Sequence, residues 1–299
     1  MRRRSSEPTE RLHPAAEQLD LEPIAAIVRR LNTEDLRAVR AVGRQRAQVA
    51  RLGQMAFRAL VAGGRLIYVG AGTSGRLGAL DAAECPPTFG TEPGRVVAVM
   101  AGGPGALRAS VEGAEDDPNA GARAVRRLRL KRRDLVCGVS ASARTPFVLG
   151  ALAAARRAGA HTALVCCNPS ARVPVDVRVA LRTGPELVAG STRLKAGTAT
   201  KCVLNAVSTA AMVALGHVYR GRMVDVAATN AKLKERAVRM VSEMAEVSLP
   251  HARLLLAAAG GHPSSALAMH FTGLRRADAD RLRHAQGLRA LEHEAPGLR

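Results

Sequence analysis

Between Leu19 and Ala62 apolar residues recur at three- and four-residue steps, with Ile24, Ile27, Val28 and Leu31 on one stripe. That is the period of an amphipathic helix. Asn32-Thr33-Glu34-Asp35 predicts a fresh start inside this stretch, a polar cap with acids in the first turn of a second helix that stops at Gly63-Gly64. Beyond it the pattern shortens. RLIYVG (65–70), RVVAVM (95–100), DLVCGV (134–139), HTALVC (161–166) and VDVRVAL (175–181) are brief apolar runs, each closed by a turn. Strands alternating with helices at this spacing predict an α/β fold, a doubly wound parallel five-stranded sheet with helices on both faces. Right-handed crossovers then gather the turns after the strands on one edge, where ligands bind. From Ser191 to Gly216 the chain reads as a long, mostly apolar helix, and residues 230–290 as several short amphipathic ones. The expected organisation is a disordered basic tail (1–12), N-terminal helices (13–62), an α/β domain (63–230) and a small helical domain (231–299).

Composition sharpens this picture. The chain is 47% apolar yet only 2% aromatic, so its core is built from Ala, Val and Leu, as close packing of helices on a sheet favours. No apolar run reaches the ~20 residues a membrane span needs, and the N-terminus lacks the apolar stretch of a secretory signal. The expectation is a cytoplasmic protein without a membrane partner. A formal charge of +20 suggests nucleic acid. However, 40 of the 45 basic residues are Arg, spread over nearly every segment, as GC-rich coding would produce. No recognition module accompanies them, so no nucleic-acid partner is expected. Cys85, Cys137, Cys166, Cys167 and Cys202 have no metal-ligand spacing and read as small hydrophobes.

Chemistry concentrates in two turns and two acids. GAGTSGRLG (70–78) follows a strand and opens a helix. This geometry brings helix N–H groups to an anion, and Thr73, Ser74 and Gly75 suit a phosphate monoester. Gly70, Gly72 and Gly75 also match the dinucleotide spacing, but no acid ends a second strand where a ribose would need it. The turn Ser140–Pro146 repeats the small hydroxyls, with Ser142 and Thr145. Glu84, between Ala82-Ala83 and Cys85-Pro86-Pro87, and Glu115, in VEGAEDDP, supply carboxylates for acid–base work without a metal or cofactor. Glu84's apolar setting predicts partial burial.

The blocks LIYVGAGTSGRLGALDAAECPPTFG, AGGPGALRASVEGAEDDP, ARTPFVLG, GPELVAGSTRLKAGTATK and MVDVAATNAKLKERA resemble the N-acetylmuramic acid 6-phosphate etherases. The resemblance runs from about residue 9 to the C-terminus. It implies a sugar-isomerase (SIS) fold, a homodimer and a helical C-terminal extension. It also implies a lyase that releases D-lactate from the phosphorylated amino sugar, without cofactor or metal. It assigns Glu84 and Glu115 as the acid–base pair, phosphate contacts to Thr73, Ser74, Gly75, Ser142 and Thr145, and further pocket contacts to Ser191, Thr192, Arg193 and Lys195. A non-catalytic phosphosugar-binding regulator of the same fold is the alternative. Two departures stand out. Ala143 replaces the glycine of the usual Ala-Ser-Gly-Arg-Thr-Pro turn, which predicts weaker phosphate binding. The N-terminal helices also lack the family's Ser-Thr-x-Glu stretch.

Overall fold

The computed structural model describes residues 8–226 and 231–295. The chain divides into two compact units, one of residues 1–83 and 94–211, the other of residues 84–93 and 212–299. Residues 1–7 of the expected tail lie outside the described residues. From Pro8 onward that tail is ordered: Thr9 is buried and its carbonyl accepts the Gly190 N–H at 3.0 Å.

The first unit holds the expected sheet. Strands β1 (Leu66–Gly70), β2 (Val96–Met100), β3 (Leu135–Val139), β4 (His161–Cys166) and β5 (Val177–Ala180) are all parallel, in the order β2-β1-β3-β4-β5. β1 and β3 are buried along their whole length, which is why they read as unbroken apolar runs rather than alternating ones. In this order the connections reverse direction between β1 and β3. Open α/β sheets form their ligand crevice at that point, beyond the strands' C-terminal ends. The two hydroxyl-bearing turns follow β1 and β3.

The N-terminal helices differ from expectation. α1 runs unbroken over Ile24–Gly43, and the chain turns only at Arg44-Gln45 before α2 (Arg46–Val61). Asn32–Asp35 starts nothing, because its acids serve tertiary partners: Glu34 is buried, and Asp35 accepts the Thr198 hydroxyl at 2.9 Å. α2 buries Leu52, Ala56 and Leu60. Helices α4 (Pro118–Arg127) and α5 (Pro146–Arg157) cross so closely that a Cβ on Gly121 would sit 1.9 Å from the Phe147 carbonyl oxygen, and one on Gly150 1.9 Å from that of Pro118. No larger side chain fits either crossing point. α3 (Gly72–Phe89) follows β1, and α6 (Lys195–Ala214) follows the loop after β5.

The second unit has its own apolar core, which includes Val224, Val241, Leu267 and Phe271. Around it lie α7 (Ala231–Ala245), α8 (Leu249–Ala258), α9 (Pro263–Thr272), α10 (Arg276–Gln286) and α11 (Leu288–Glu294). Its polar centre is the half-buried Asp225, 2.8 Å from His217 Nδ1 and 3.5 Å from Arg283 Nη1. Burial pushes the Asp225 carboxyl up, but the His217 hydrogen bond and the Arg283 charge more than offset this and hold it below the usual range. Among the described residues no helix is long and apolar enough to cross a membrane.

Candidate active site

The turn after β1 is shaped by contact. A Cβ on Gly70 would lie 2.6 Å from the Gly75 nitrogen, so only glycine lets the chain fold back into α3. Thr73 and Ser74 sit half-buried in the first turn of α3, where helix N–H groups favour an anion. Gly75 does not share that role. It is buried, and its N–H already donates to the Ala71 carbonyl at 3.2 Å. It lets the turn close rather than holding a ligand.

Beside this turn lies a cavity of about 360 Å³, lined by Gly72, Arg76, Met100, Ser110, Glu112 and Glu115, among others. Glu115 is fixed by its backbone, whose carbonyl accepts the Phe147 N–H at 2.9 Å, one residue into α5. The main chain at Glu115 is thereby tied to the turn after β3, and its side chain is exposed at the cavity. Glu112, three residues earlier, shares the cavity. It was passed over in the sequence, although Glu112 and Glu115 bracket a Gly-Ala pair in one short loop.

In the second turn the hydroxyls first serve each other. Ser140 Oγ and Thr145 Oγ1 are 2.8 Å apart, and Ser140 Oγ also accepts the Ala143 N–H at 3.1 Å. Ser142 Oγ accepts the Arg144 N–H at 3.1 Å, which leaves its proton to donate to an acceptor. Ala143 keeps a positive φ of 60°, and its buried methyl belongs to the apolar cluster that includes Phe147 and Val148. The replacement therefore preserves the turn, and its methyl lies in the core.

The segment before α6 closes on the first turn: a Cβ on Gly197 would lie 3.7 Å from Thr73 Cγ2 and 3.4 Å from the Thr192 carbonyl oxygen. Ser191 and Thr192 are half-buried here and Arg193 is exposed. Lys195 is placed otherwise than expected. Its side chain is buried, with the ammonium paired to Glu34, and so is engaged before any substrate arrives. Glu34 also takes Arg37 at 2.5 Å and His13 Nε2 at 3.3 Å. His13 Nδ1 accepts the Ala15 N–H at 3.1 Å, so the Nε2 hydrogen is the one that faces Glu34. Burial pushes the Glu34 carboxyl up, but the Lys195 hydrogen bond and charge, with His13 and Arg37, more than offset this and hold it below the usual range. Glu186, fully buried, accepts the Lys195 and Ala196 N–H groups at 3.0 and 2.9 Å and so caps α6. Burial raises its pKa against those two hydrogen bonds.

Glu84 stands on α3, three turns after Ser74, and opens the second unit. It is exposed, not partly buried as its apolar neighbours predict. The helical period turns Ala82, Cys85 and Phe89 inward and Ala83 and Glu84 outward. The cysteines behave as expected. Burial pushes the Cys137 and Cys167 thiols up to about 12, which leaves them inert.

Residues 48–156 match the model of the glucokinase regulatory protein N-terminal SIS domain. Among solved structures, phosphoheptose isomerase GmhA from Neisseria gonorrhoeae is 17% identical, with a TM-score of 0.48 over 63% of this chain and 98% of its own. Among curated proteins, the N-acetylmuramic acid 6-phosphate etherase of Cutibacterium acnes is 49% identical over 91% of this chain and 90% of its own. The Salmonella dublin etherase is 48% identical over 95% and 98%. With identity this high across nearly the whole length of both chains, the protein belongs to the N-acetylmuramic acid 6-phosphate etherase family.

Proposed function

We propose that this enzyme cleaves the D-lactyl ether of N-acetylmuramic acid 6-phosphate, giving N-acetylglucosamine 6-phosphate and D-lactate. The observation that carries this reading is the 48–49% identity to curated etherases over about nine-tenths of the chain. In the open-chain sugar the C1 aldehyde acidifies the C2 proton, and the lactyl oxygen on C3 is β to that carbonyl. Removing the proton and protonating the departing oxygen expels lactate and leaves an unsaturated aldehyde. Water then adds at C3. The aldehyde accepts the electrons, so two carboxylates meet the proton requirement.

Glu115 suits the base, since its cavity adjoins the β1–α3 turn. Glu84 is the resemblance's candidate for the acid. Thr73 and Ser74 take the phosphate at the α3 N-terminus, Ser142 and Thr145 face it from the second turn, and Ser191, Thr192 and Arg193 complete the rim. The working form in this reading is a cytoplasmic homodimer.

The test is D-lactate release by wild type and by Glu84→Gln, Glu112→Gln and Glu115→Gln. At least a 100-fold loss of kcat in Glu84→Gln and Glu115→Gln is expected, in line with acid–base contributions of about 10²–10⁴. Loss in Glu112→Gln with Glu84→Gln active would move the acid to Glu112. The regulatory-protein match favours one other reading, a phosphosugar sensor, for which wild type would bind the sugar phosphate and release no lactate.

A further inference from the structure

Nine of the 45 basic residues that look scattered along the chain converge at one edge of the first unit. Because β1, β2, β3 and β4 are parallel and in register from Leu66, Val96, Leu135 and His161, their starts share one edge, opposite the active-site turns. Arg58, Arg126, Arg127, Arg156 and Arg157 occupy the last turns of α2, α4 and α5, which end at that edge. Between them lies the loop with Arg129, Lys131, Arg132 and Arg133. All nine are exposed. Contacts place the loop in the middle: Arg133 donates to the Ala62 carbonyl at 3.2 Å, before β1, and the Arg132 side chain lies 3.3 Å from a Cβ built on Gly159, before β4.

The carboxylates at this edge are too few to neutralise it. Asp134 is buried and paired with Arg65 at 2.6 Å, and Asp176, held by the Thr162 N–H at 2.7 Å, is exposed and sets one negative charge against the nine positive ones. Cations at helix C-termini have a local use, since they are attracted to the negative end of the helix dipole. That accounts for the five on helices, not for the loop. Arg129 itself has a φ of 49°, in the left-handed region.

We propose that this edge is a docking surface for double-stranded nucleic acid, gripped through the phosphate backbone without reading base sequence. Guanidinium forks match phosphate oxygens. Residues 58–65, 123–134 and 153–161 contain no Phe, Tyr or Trp on which single-stranded bases would stack. Val61 is the one exposed large apolar side chain in those segments, too little to anchor in a bilayer. From β1 to β4 is two strand spacings, about 10 Å. Each strand of a duplex carries one charge per about 3.4 Å of axis, so the edge faces roughly three phosphates of the strand that lies on it.

The experiment is fluorescence anisotropy of a labelled 20-base-pair duplex with the full chain at 50 and 200 mM KCl. With about three phosphates engaged, affinity should fall roughly 40-fold between the two salts, whatever the base sequence. Replacing Arg129, Lys131, Arg132 and Arg133 together by Ser should cut the salt dependence to a few-fold. Arg156→Ser with Arg157→Ser should give a smaller loss and serves if the loop variant does not fold. A variant with Arg40, Arg44, Arg46 and Arg51 replaced by Ser removes equal charge elsewhere in the unit and should bind like wild type. D-lactate release should be unchanged throughout. The proposal is overturned if duplex does not bind at 50 mM KCl, or if both quadruple variants weaken alike. It is also overturned if phosphatidylglycerol vesicles capture the protein while duplex does not.

Discussion

Ala143 shows how closely opposing contributions balance at one residue. Its φ of 60° costs an alanine about 1–2 kcal/mol relative to the right-handed region. Replacement by glycine removes that strain but forfeits a buried methyl, about 0.8 kcal/mol, and frees the unfolded chain by about 0.4–1 kcal/mol. Ala143→Gly should therefore leave stability within about 1 kcal/mol of wild type, read as a urea midpoint. Because the methyl lies in the Phe147–Val148 cluster, KM should shift less than about 3-fold. A larger fall in KM would mean that the methyl obstructs the phosphate after all. The need for positive φ here was legible in the sequence, since the family's glycine marks it. The direction of the methyl was not, because only the packing of α5 decides it. Glu84 has the same history. Its neighbours Ala82, Ala83 and Cys85 suggested burial, but a helix sorts neighbours by angle, and Glu84 falls on the outer side.

At the level of elements, the five strands were legible because each is a short apolar run ended by a turn, and a parallel sheet covered on both faces leaves that mark. The break placed at Asn32–Asp35 was an error of a different kind. Acids following Asn and Thr look the same whether they cap a new helix or reach across to another one. Here they reach across, with Glu34 to Lys195 and Asp35 to Thr198, and they fasten α1 to the first turn of α6. Lys195→Met should be costly, since it leaves Glu34 buried without its main partner, a situation worth about 3–5 kcal/mol. Lys195→Arg keeps the charge and should recover part of that loss. If Lys195 instead contacts substrate, Lys195→Met would raise KM while the urea midpoint stayed near wild type. The midpoint falling first, with KM of the remaining folded enzyme little changed, is the expected result.

Across the whole molecule, both units rest on ion-paired acids whose carboxyls sit below their ordinary range: buried Glu34 and Asp134 in the first, half-buried Asp225 in the second. For Asp134 burial pushes up, but the Arg65 hydrogen bond and charge, with the Lys131 and Arg65 N–H groups, more than offset it. A depressed carboxyl contributes its full stabilisation above the unfolded pKa, 3.8 for Asp and 4.5 for Glu. That contribution is lost as pH falls through the folded value. Glu186 runs the other way: raised by burial, it favours the fold most at low pH and progressively less as pH climbs past 4.5. Three depressed groups oppose one raised, so melting temperature should hold above about pH 5 and fall steeply below about pH 4. Glu34→Gln isolates one contribution. It should lower the melting temperature at pH 7, where wild type has its charged partner for Lys195. The gap to wild type should narrow as pH falls below 4.5 and on through the lowered folded value, where the wild-type carboxyl is itself being neutralised. Two melting curves that stay parallel from pH 7 to about pH 3 would show that the Glu34 charge does not help hold the first unit together.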